Sequence, residues 1–71
     1  MGLRFAIELE QEADGRWIAE VPDLPGVLAY GATRRAAIAA AEALALRVLA
    51  DQVELGESEA PLSISFVPAA A

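Results

Sequence analysis

The sequence predicts an α+β fold in the order β-β-β-α-β. It is a mostly antiparallel four-stranded sheet, strand order 3-2-1-4, with one helix on one face. Three observations predict it. Residues 3–10 and 62–67 alternate apolar and polar side chains with the period of a half-buried strand. Two turn signals, Asp14-Gly15 and Pro25-Gly26, divide the stretch between residues 11 and 30 into two further short strands. Residues 34–55 are a continuous run of strong helix formers.

In the first strand Leu3, Phe5, Ile7 and Leu9 point one way, and Arg4, Ala6, Glu8 and Glu10 the other. Asp14-Gly15 is a residue pair that accepts the positive φ values of a tight hairpin turn. Gln11 to Ala13 is long for a two-residue loop, which leaves room for a bulge or a frayed strand end. Residues 16–21 form the second strand, with Trp17, Ala19 and Val21 inward and Arg16, Ile18 and Glu20 outward. Ala19 is small enough to let a helix approach the sheet. Pro22 has no backbone donor, so the strand stops there or lies on an edge. Pro25 presets φ and Gly26 accepts the positive φ of a type II turn. The chain reverses and re-enters a strand at residues 27–30.

Thr33 is placed to cap a helix, because its hydroxyl reaches the free amides of the first turn. Ala36 leaves the capping box incomplete. Arg34 and Arg35 sit where the helix dipole disfavours cations, which points to another role such as pairing with carboxylates. Ile38, Ala41, Ala45, Val48, Leu49 and Leu55 fall on one arc, with Leu44 at its border. Leu46 and Val53 lie outside it. A helix covering one sheet face needs a single apolar stripe, so the excess predicts a further packing surface. Gly56 ends the helix. A polar loop over 57–60 and Pro61 lead into the fourth strand, and Pro68 with three alanines forms a frayed end. The right-handed crossover rule lays strand four parallel to strand one. One sheet face is left without a helix.

The chain has 71 residues, enough for a single domain over residues 1–71 with no second domain. A core this small is commonly reinforced by disulfides, metals or oligomerisation. Cysteine and histidine are both absent, which removes disulfides and Cys/His zinc sites and leaves a homo-oligomer or an obligate partner as the expectation. Eleven carboxylates face five arginines and no lysine, for a net charge of −6. Phosphate backbones repel such a chain, so no direct nucleic-acid contact is expected. Acidity suits a basic protein partner, although it also serves solubility alone. No leader-like segment opens the sequence, and no apolar run approaches the roughly 18 residues of a span, so the expected location is cytoplasmic without membrane contact.

The block AEVPDLPG, preceded by DGRW in an acidic hairpin and followed by a short strand ending in Gly31 and by T-R-x-x-A at the helix start, resembles the HicB family of HicA–HicB toxin–antitoxin systems. The likeness runs from about residue 3 to 55. It implies a partial RNase H-like fold and an antitoxin that covers a small basic RNA-cleaving toxin of the HicA kind. Val27 stands where the family often has Cys, and Ala36 where it often has an acidic residue. Full-length family members carry a DNA-binding domain after this one; the resemblance implies that operator binding is absent here or supplied by another chain.

An RNase H-like fold raises two-metal nuclease chemistry, which needs carboxylates converging from several elements. Glu8, Glu10 and Glu20 are cross-strand neighbours, but residues 62–67 add no carboxylate, and alternating charges on a strand usually form a solvated face. Ser58, Ser63, Ser65 and Thr33 have no histidine to activate them. No catalytic residue, metal or cofactor is therefore assigned. Glu8, Glu10, Glu20, Asp23, Asp51 and Glu54 are the candidate partner-binding residues. Pro22, Pro25, Gly26, Gly31 and Thr33 are the turn and cap residues. A stand-alone homo-oligomeric domain of structural or regulatory role, without a toxin, is the competing reading.

Overall fold

A computed structural model describes residues 2–56 and 63–69. The elements follow as β1 (Gly2–Gln11), β2 (Trp17–Glu20), β3 (Leu28–Gly31), α1 (Arg34–Glu54) and β4 (Ser63–Pro68). The sheet order is β3-β2-β1-β4. β1 pairs antiparallel with β2 and parallel with β4, and β2 pairs antiparallel with β3. Fold class, strand order and the single helix on one face are thus as the sequence predicts. The predicted loop over 57–60, Pro61, the strand start at Leu62 and the last two alanines lie outside the described residues.

Alternation places the core. Phe5, Ile7, Ala19, Val21, Leu24 and Val27 from the sheet and its turns meet Ala37, Ala41, Ala45 and Leu49 from α1. α1 lies over β3 and β2 and only grazes β1. Four-residue spacing puts these helix residues on one face, and the alanines let the backbone come close. Beyond the helix, Phe5 stacks on Phe66 with ring centroids 5.9 Å apart, joining β1 to β4.

The turns carry the sequence logic and two corrections. The Leu24 carbonyl accepts from the Val27 amide at 3.1 Å around Pro25-Gly26, and Gly26 has φ of 84°. A preceding turn closes over Pro22, with the Leu24 amide donating to the Val21 carbonyl at 3.0 Å. Back-to-back turns bury Leu24, a core residue that period-two patterning does not reveal. In the first hairpin only Gly15 has positive φ, so Asp14-Gly15 is not a pair of positive-φ residues. The Gly15 amide bonds the Glu12 carbonyl at 2.9 Å, and the Glu12 amide bonds the Arg16 carbonyl at 2.7 Å. That is a three-residue loop with a glycine bulge, the option its length had left open.

Four further expectations change. Gly31 is not a turn glycine. It ends β3 where the chain touches the helix, and a Cβ there would collide with the backbone of Ala36 and Ala37. Leu55 is the helix cap and 72 % exposed, outside the core that its place on the apolar arc predicts. Pro68 is not frayed: it pairs opposite Ile7 on the edge strand, where no donor is required of it, and the Ala69 amide continues the ladder to the Ile7 carbonyl at 2.8 Å. Arg34 reaches the Ala69 carbonyl at 3.4 Å, and among the described residues it pairs with no carboxylate. Thr33 caps as expected, its hydroxyl accepting from the Ala36 amide at 3.0 Å.

Candidate functional site

The helix-free side of the sheet is the surface with the most chemistry. Register brings two rows of side chains across it. Glu10, Ile18 and Tyr30 form one row; Glu8, Glu20 and Leu28 form the next. Ala6 and Val67 continue the face toward β4. Leu28 is 42 % exposed and Tyr30 49 %, large values for apolar and aromatic side chains inside strands. A shallow depression of about 330 Å³ is lined by Glu8, Leu9, Glu10, Ile18, Glu20 and Ala69.

The charges on this face are unevenly matched. Arg16 is occupied: its Nε donates to Asp14 Oδ2 at 2.8 Å, and its guanidinium sits 5.0 Å from the Tyr30 ring centroid. Asp14 also accepts from the Arg16 amide at 3.0 Å. That backbone bond is the main reason its carboxyl lies below the ordinary 3.8; desolvation opposes it and the Arg16 side chain reinforces it. Among the described residues this is the only ion pair, so none of Glu8, Glu10 and Glu20 is paired with a cation there.

The six candidate carboxylates therefore separate. Glu8, Glu10 and Glu20 share the helix-free face. Asp23 lies in the exposed turn beyond β2, and Asp51 and Glu54 lie in the last turns of α1. Leu28, Tyr30 and Arg16 belong to the same face and were not among the candidates. Their signal was the alternation through Val27 and Ala29, which by itself fixes two sets but not which set faces in. Among the described residues no three Asp or Glu side chains approach closely enough to hold a metal ion. No helix there is long and apolar enough to cross a membrane.

Comparison with family models, curated proteins and solved structures returns no match, so the likeness to HicB rests on the VPDLPG block and its neighbours in the sequence.

Proposed function

We propose that this chain is a HicB-like protein-binding module whose helix-free sheet face takes a small basic protein, an RNA-cleaving toxin of the HicA kind. The observation that carries the reading is the triad of uncompensated carboxylates, Glu8, Glu10 and Glu20, set beside exposed Leu28 and Tyr30 on one face. Apolar anchors with a charged surround are the ordinary make-up of a protein interface, and complementary charge speeds encounter. On this reading the sheet and helix are a partial RNase H-like fold, the protein is not an enzyme, and it works in the cytoplasm by covering the toxin surface.

The test is co-expression with the product of a short, basic, histidine-containing reading frame beside the gene. The wild-type chain should suppress RNA cleavage by that product, and the triple variant Glu8→Gln, Glu10→Gln, Glu20→Gln should restore it. Equal suppression by the triple variant counts against this face, and the lack of any such neighbour counts against the toxin. The second reading, a stand-alone homo-oligomeric domain, is favoured by exposed Leu46 on the far side of the molecule.

A further inference from the structure

The helix carries two apolar faces, and the sheet uses one. Ala37, Ala41, Ala45 and Leu49 face the sheet. Ala36, Ala39, Ala43, Leu46, Ala50 and Val53 recur at alternating three- and four-residue spacing, the a/d pattern of a coiled-coil seam over almost three heptads. The first five are exposed, Leu46 by 46 %, and Val53 is half-buried.

The helix is also charged against its own dipole. Arg34 and Arg35 occupy the first turn, which holds no acid, and Asp51 and Glu54 lie in the closing turns, where no base appears. None of the four is in an ion pair among the described residues. A helix with a basic start and an acidic end complements a reversed copy of itself.

We infer that a second copy of this chain docks on the outer face of α1, antiparallel, about a two-fold axis passing between Leu44 and Ala45. The self-association reading above is its premise; what it adds is the surface and the orientation. The reversed copy sets Ala36 level with Val53, Ala39 with Ala50 and Ala43 with Leu46. Each Leu46 meets a partner alanine, so large side chains face small ones. A parallel pair stacks Leu46 on Leu46 and Val53 on Val53 between alanine-only layers, which holds the helices apart and leaves gaps. The antiparallel pair also lays each arginine end alongside an acidic end, within reach of weakly screened attraction. The helix-free sheet face is a poor self-partner, because pairing it brings two sets of Glu8, Glu10 and Glu20 together. The two faces are thus separate, one for a copy of the chain and one for a basic partner.

Sedimentation of the full chain at micromolar concentration should give twice 7.4 kDa. Leu46→Glu should halve that mass with an unchanged circular dichroism spectrum, while Leu28→Glu on the sheet face should leave the dimer intact. The chain has no cysteine, so single-cysteine variants are clean probes. A mixture of tagged Ala39→Cys and untagged Ala50→Cys should oxidise to a mixed disulfide, and Ala39→Cys alone should not cross-link. A dimer that survives Leu46→Glu, or that cross-links through Ala39→Cys alone, overturns the interface while leaving self-association standing. A monomeric wild type overturns both.

Discussion

Glu8 and Glu20 stand directly opposite each other across the β1–β2 ladder, two carboxylates on one exposed face with no cation paired to either among the described residues. Like charges placed so oppose strand pairing. Glu20→Gln should raise stability by about 0.5 kcal/mol in urea denaturation at low salt. The gain should vanish in high salt, where screening already relieves the repulsion. If the face serves a basic partner, the same substitution weakens that binding. Stability and binding then move in opposite directions, which a purely structural face does not show.

The Phe5–Phe66 stack ties β1 to β4 through their side chains. Phe66→Ala removes a half-buried ring and leaves Phe5 without its partner. Destabilisation of about 3 kcal/mol is expected from large-to-small truncation, read as a lower urea midpoint. A change under half a kilocalorie sinks the idea that this pair secures β4.

Gly31 and Gly26 are required for different reasons, and alanine separates them. At Gly31 an added Cβ meets the backbone of α1, with the Ala36 carbonyl carbon 2.8 Å away, so the helix start has to move off β3. At Gly26 nothing is within 4 Å, and only the φ of 84° resists. Gly26→Ala should cost about 1–2 kcal/mol of backbone strain. Gly31→Ala should cost more, and thermal melts of the two variants compare them directly. Thr33→Ala, which removes the adjacent cap, should cost about 1 kcal/mol.

Asp14 gives the hairpin a pH dependence of known sign. Its carboxyl titrates below 3.8 in the folded chain because the Arg16 amide and guanidinium favour the ionised form. A lowered folded-state value means the stabilisation is fully present above 3.8 and is lost as pH falls through the lower value. The carboxyl carbon shift of Asp14, followed by NMR through that acid range, should show the depressed midpoint. Arg16→Gln should bring it back toward 3.8 without abolishing the shift, because the amide bond remains.

Most of the sheet was legible because period two is a local property. Leu3 to Leu9, and Trp17, Ala19 and Val21, sort into faces without knowledge of the rest of the chain. What escaped depends on where elements end against each other. Leu55 lies on the apolar arc of an isolated helix, but it is the cap residue and stays exposed. Ala37 continues the four-residue stripe of Ala41 and Ala45, and its complete burial depends on Gly31, which lets the helix start press onto β3. Leu24 is buried by two consecutive turns, whose combined path is not a period. Alternation alone already groups Glu8, Glu10 and Glu20 on the outward face; what it lacks is the register, which sets Glu8 directly opposite Glu20 and Glu10 opposite Ile18.

The parallel pairing of β1 with β4 sets the order in which this molecule can be completed. β1 is made first but lies inside the sheet, and the partner for its second edge follows the whole of α1. Until that segment leaves the ribosome, the meander and helix assemble from nearby contacts while β1 displays an unpaired edge. Such an edge invites pairing with other nascent chains. Closing it requires a contact between residues some sixty positions apart, and such closures are slow. The strand that finishes the sheet is therefore also the step at which folding competes with aggregation.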